Sequence, residues 1–195
     1  MGESNLIINH KKIEYHGIFR TTELFSTLNH ALEEKGYTKR EKKSEELVTP
    51  GGRMLQLQLR PFKAASQYMT LMIKIHLTLD NVTDISKDIS GIKQKFQKGD
   101  LLIAFDAWSI TDYEGRWGTK PLTYFLKGLI HKYLYKFPLE EGYIRELVKD
   151  TAFIYSQLKN LLQSYEGKKV APLSEAEILR KVEEDFLKKT EPDTP

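Results

Sequence analysis

Met69-Thr70-Leu71-Met72-Ile73-Lys74-Ile75-His76-Leu77-Thr78-Leu79-Asp80 carries the clearest pattern in the chain. Met69, Leu71, Ile73, Ile75, Leu77 and Leu79 take the odd positions; Thr70, Met72, Lys74, His76, Thr78 and Asp80 lie between them. Successive strand side chains point to opposite faces, so a period of two held this long predicts a long strand with one buried face. An apolar sheet face has to be covered, and the flanking sequence supplies candidate covers.

Upstream, Leu6, Ile8, Ile13, Tyr15 and Phe19 suggest a broken opening strand, with Gly17 marking a bulge or a close backbone approach. Leu24, Phe25, Leu28 and Leu32 then share a helical face, which predicts a helix from about Thr22 to Lys35, capped by Thr21 or Thr22 and stopped by Gly36. Thr38 to Val48 carries charge on both faces, as an edge strand does when it resists indiscriminate pairing. Pro50-Gly51-Gly52 predicts a turn, Leu55, Leu57 and Leu59 another strand, and Pro61 a break in its ladder.

Downstream, Asn81 is expected to close the central strand. Ser90-Gly91 between Ile89 and Ile92 predicts a hairpin, with Phe96 facing inward on the return and Gly99-Asp100 as a further turn. Leu101 to Tyr113 is apolar on both faces and predicts a central strand covered on both sides. Thr119 and Pro121 open a helix striped by Leu122, Phe125, Leu129, Ile130, Tyr133 and Phe137. After Pro138 a longer helix carries Tyr143, Leu147, Val148, Thr151, Ile154, Leu158, Leu161 and Tyr165. The expected fold class is α+β: an antiparallel sheet of about six strands covered by an N-terminal helix and a pair of long C-terminal helices. Residues 1–166 form the expected core domain, 167–173 a linker and 174–189 a short amphipathic helix with a Ser174/Glu177 capping box; 190–195 is an expected disordered tail.

This order of elements resembles the helix-grip arrangement of the START/polyketide-cyclase superfamily. The resemblance implies a curled sheet around a long helix with an apolar cavity between them; the split at Pro138 departs from it. The stretches Ile89-Ser90-Gly91 through Gly99-Asp100, Thr111-Asp112-Tyr113-Glu114 and Tyr124-Phe125-Leu126-Lys127-Gly128-Leu129 also resemble uncharacterised archaeal proteins, across about residues 13 to 166.

Composition narrows the chemistry. The 195 residues are 40% hydrophobic and 29% charged, with mean hydropathy −0.47, values of a globular chain without a membrane-spanning run. With no basic-then-apolar leader at Met1-Gly2-Glu3-Ser4-Asn5, the expectation is a cytoplasmic protein. There is no cysteine, which excludes thiol nucleophiles, disulfides and thiolate metal sites. His10, His16, His30, His76 and His131 lack metal-binding spacing, so neither a metal nor any other cofactor is expected. A net charge of +3 and a pI near 8.8 make nucleic acid an unfavoured partner.

Asp106 interrupts an apolar run and, if the meander sets His76 beside it, the two suggest an acid–base pair; a solvated face, or an ion pair with Lys74 or Arg60, is the favoured explanation. Leu71, Ile73, Ile75, Phe105, Trp108, Phe125 and Leu129 are the candidate walls of a ligand cavity, or simply core. Asp112, Glu114 and Arg116 sit at an expected strand end and turn. The favoured function is a non-catalytic binding module for an apolar small molecule, a lipid or a protein. The alternatives are an enzyme built on Asp106 and His76, and a weak RNA-binding protein. Residues 174–189 offer a surface for self-association or a protein partner. Peripheral membrane contact through the basic helix holding Lys120, Lys127 and His131 is less favoured than core packing.

Overall fold

A computed structural model describes residues 4–49, 52–66, 69–89, 92–111 and 138–166. They form β1 (Ser4–Phe19), α1 (Thr21–Glu34), β2 (Glu41–Thr49), β3 (Gly52–Leu59), β4 (Phe62–Ala64), β5 (Met69–Ile89), β6 (Ile92–Thr111) and α2 (Pro138–Tyr165). The fold is α+β with one six-stranded antiparallel sheet in the order β1-β6-β5-β3-β2; β4 pairs with the start of β5.

The alternating run is the middle of this sheet. Met69, Leu71, Ile73, Ile75, Leu77 and Leu79 are all buried, while Thr70 to Asp80 on the even positions are half-buried. Each fully buried aliphatic side chain contributes roughly 1.5–3 kcal/mol of transfer free energy. β6 pairs with β5 from Met69↔Thr111 to Ile89↔Ile92, so the two strands are the legs of a hairpin; the expected turn at 90–91 lies outside the described residues.

Two expectations about this hairpin are corrected. Asn81 does not end β5. It adopts φ 54° inside a bulge between Asp80 and Thr83, and the strand continues. Gly99-Asp100 is not a turn but lies within β6, opposite that bulge. A Cβ on Gly99 would come within 2.8 Å of the Asp80 carbonyl oxygen, so the glycine serves a close approach of backbones.

Pro61 breaks the third strand as expected. β3 ends at Leu59, and β4 resumes pairing with β5 at Phe62↔Met72. The Pro61 carbonyl still accepts from Ile73 N–H at 3.0 Å.

α1 buries Leu24, Leu28, Ala31 and Leu32. Its entry differs from expectation. Arg20 is the N-cap residue and makes no side-chain cap. The Thr21 N–H and hydroxyl instead donate to Gln97 Oε1 at 3.1 and 3.2 Å, so a tertiary partner from β6 satisfies the helix start. At the exit, Gly36 has φ +74°, its N–H donates to Glu33 O, and Tyr37 N–H donates to Leu32 O. This is a Schellman ending, which favours a residue without Cβ.

Pro138 opens α2, where a missing N–H costs nothing. Leu147, Thr151, Ile154, Leu158 and Leu162 form its buried stripe, against α1, β1, β6 and β5. The expected preceding helix at 119–137 lies outside the described residues, as do 167–195. β6 is central, but its two faces differ. Leu101, Ile103, Phe105, Ala107 and Ser109 are buried, whereas on the other face Ala104 is buried and Leu102, Asp106, Trp108 and Ile110 are half-buried.

Candidate functional site

His76 and Asp106 fall on the same, outer face of the sheet. Lys74 lies directly opposite Asp106, and His76 opposite Ala104, so the two candidates are diagonal neighbours. No hydrogen bond joins them among the described residues. Asp106 Oδ1 accepts instead from the backbone N–H of His10 at 2.7 Å, and the His10 ring Nδ1 lies 3.9 Å away. His10 sits at φ 53° in a register shift of β1, a left-handed conformation that costs a non-glycine residue energy and is held here by that bond. Burial, then the Lys74 ammonium, hold His76 below the ordinary histidine range against the pull of Asp106. The imidazole is therefore neutral near pH 7 and able to accept a proton. The sequence sets His76 beside Asp106 only if the meander pairs their strands, and the β5–β6 register does so; it carries no signal for His10, whose placement depends on the register shift of β1.

The proposed cavity walls separate. Leu71, Ile73, Ile75 and Phe105 have no exposed surface and belong to the core between sheet and helices. Trp108 pairs with Met72 on the outer face, because an even position points away from its odd neighbours. Phe125, Leu129, Asp112, Glu114 and Arg116 lie outside the described residues.

A concavity lies elsewhere, where the end of β1, the start of α1, β6 and the end of α2 meet. It is an open cleft of about 670 Å³, bordered by Tyr15, Arg20, Phe96, Lys98 and Tyr165 among others. The Arg20 guanidinium stands 5.6 Å from the Phe96 ring centre and pairs with Glu23 at 2.8 Å. The Tyr165 hydroxyl donates to the other Glu23 oxygen. Burial and that carboxylate push the Tyr165 phenol well above its ordinary range, so it remains a donor. Tyr15 is also raised, by burial and then by Glu166, and donates to Ile18 O at 3.0 Å. Lys98 has no ion-pair partner among the described residues, so the cleft holds one locked cation and one free one. Arg20 and Glu23 sit three apart at a helix entry, which sequence shows; Tyr165 arrives from the far end of α2, which it does not.

A second charged group ties α2 to the sheet margin. Lys63 Nζ on β4 reaches Glu146 Oε1 at 2.6 Å and Asp150 Oδ2 at 3.3 Å, and lies 5.5 Å from the Tyr37 ring centre. Burial raises the Asp150 carboxyl above its ordinary value in spite of Lys63. Burial and then Asp150 push the Tyr37 phenol far upward. This group joins β4, α1's exit and α2, and works as a structural clamp.

Among the described residues no group of three or more His, Asp or Glu side chains could hold a metal ion, and no helix is long and apolar enough to cross a membrane. No protein-family model matches the chain, and no curated protein matches it. Among solved structures it is similar to an uncharacterised protein from Rhizobium leguminosarum, at 7% identity over 84% of this chain and 99% of that one, with a TM-score of 0.24.

Proposed function

We propose that the protein is a non-catalytic binding module whose site is the cleft at the start of α1, and whose ligand is a compact molecule with an apolar or aromatic body and an anionic group. The observation that carries this is the juxtaposition of the Tyr15, Phe96 and Tyr165 rings with Lys98, which has no ion-pair partner among the described residues, in a cleft of about 670 Å³. That volume lies in the range of small-molecule sites, which pair apolar walls with a few fixed polar groups. Arg20, held by Glu23 through one nitrogen, supplies further N–H donors, and the Tyr165 hydroxyl, whose proton goes to Glu23, supplies an acceptor. The core is not read as the site, because its apolar side chains have no surface left for a ligand. The helix-grip resemblance belongs to the same proposal: β1 beside the last strand and a long helix across the sheet support it.

The test is a fluorescence titration of the full chain with anilinonaphthalene sulfonate, an aromatic anion. Saturable binding is expected, weakened about tenfold, or roughly 1.4 kcal/mol, in Lys98→Glu and unchanged in Lys74→Glu on the outer sheet face. No saturable binding, or equal binding by both variants, rejects the cleft as the site.

A further inference from the structure

β2 ends the strand order, so its outer edge has no neighbouring strand among the described residues. Lys42, Lys43, Ser44, Glu45, Glu46, Leu47 and Val48 are all exposed, Leu47 and Val48 at 58% and 72%. Charges on an edge strand turn away arbitrary partners. These charges, however, are arranged with opposite sign about Ser44.

An antiparallel partner strand related by a two-fold axis through Ser44 sets Lys43 opposite Glu45, twice, and brings Lys42, which stands in the register shift of β2 between Glu41 and Lys43, toward Glu46. Moving the axis to Lys43 sets lysine on lysine, and moving it to Glu45 sets glutamate on glutamate. A parallel in-register partner stacks every charge on its like. Cross-strand charges of opposite sign stabilise a pair and like charges destabilise it, so this edge discriminates among registers as well as partners. The groups are free to re-pair: Lys43 and Glu45 meet each other at 2.8 Å while remaining 61% and 56% exposed, and Lys42 and Glu46 have no ion-pair partner among the described residues. A two-fold axis at a sheet edge is an isologous contact, which closes at two copies.

We propose that β2 is a homodimerisation edge, two copies of this chain joining antiparallel about Ser44 into one continuous sheet.

Sedimentation velocity on the full chain at about 100 μM tests it, a concentration at which a micromolar dimer is well populated. The wild type is expected to dimerise, and more weakly in high salt. Lys42→Glu with Lys43→Glu gives a wholly acidic edge, and Glu45→Lys with Glu46→Lys a wholly basic one. Each double variant alone is expected to dissociate at least about tenfold more readily. An equimolar mixture of the two is expected to form a heterodimer, because every opposed pair is again acidic against basic. All four positions are exposed, and circular dichroism checks that each variant is folded. A monomeric wild type, undiminished self-association of either variant, or a mixture of monomeric variants that stays monomeric would each overturn the proposal.

Discussion

Replacing Lys63 with methionine removes the ammonium shared by Glu146 and Asp150 while keeping most of the side chain's apolar length. The Asp150 side chain is 9% exposed, so losing its counter-ion leaves a carboxylate with little access to water. Breaking a fully buried pair costs about 3–5 kcal/mol. Here Lys63 keeps 24% exposure and Glu146 39%, so the Glu146 share is screened and counts for less than about 1 kcal/mol. A loss of about 2 kcal/mol near pH 7 follows, seen as a midpoint lowered by about 4–8 °C for a chain of this size. The loss depends on pH, and its sign is fixed. Burial already holds the folded Asp150 value above the unfolded one. The native state therefore binds the proton more readily than the unfolded chain, and stability falls as pH rises through the folded value. Without Lys63 that value rises further, so the penalty is present at neutral pH and shrinks as pH falls below about 4, where the unfolded carboxyl is protonated as well. Urea denaturation followed by circular dichroism at the two pH values measures it. A deficit that is absent near pH 7, or equal at both values, refutes the clamp. Asp150→Asn in the Lys63→Met background is expected to recover about 1 kcal/mol at neutral pH.

Phe105→Ala removes a ring with no exposed surface that meets Tyr155 edge-on at 6.0 Å, and is expected to cost about 3–5 kcal/mol in the same denaturation assay. Gly99→Ala places a methyl 2.8 Å from Asp80 O and 3.1 Å from Val82 Cα, backbone that cannot swing aside; a loss of about 1–3 kcal/mol is expected by thermal unfolding. The His76 ring is expected to titrate below the ordinary histidine value of about 6.5 by NMR, and Lys74→Met to shift that midpoint upward. A downward shift in the variant contradicts the assigned cause.

Much of the scaffold was legible because it rests on local periodicity. The odd positions of Met69 to Leu79, the α1 stripe with Gly36 behind it and the long helix after Pro138 each follow from spacing within one element. What stayed hidden depends on offsets between elements. The bulge at Asn81 shifts register without any change in composition, and made Gly99-Asp100 look like a turn. Thr21 reads as a cap residue, yet its donors go to Gln97, far along the chain. The same holds for the sites. Period two gives His76 and Asp106 each a face within its own strand, but their shared face depends on the β5–β6 register, and the bonds from His10 to Asp106 and from Tyr165 to Glu23 join segments whose approach only the assembled sheet and helix determine.

Beyond Val82 and Gln97 the legs of β5 and β6 have no third strand beside them among the described residues; from Ile85↔Phe96 to Ile89↔Ile92 each rung bonds only its mate. Beyond Phe96 such a ribbon can gain or lose length with little consequence for the core packing, provided that residues come and go one per leg. A single added residue would turn every later side chain over. This tip is thus the place where a tag or a grafted loop can be carried, and where relatives of the chain can differ in length while keeping the same floor.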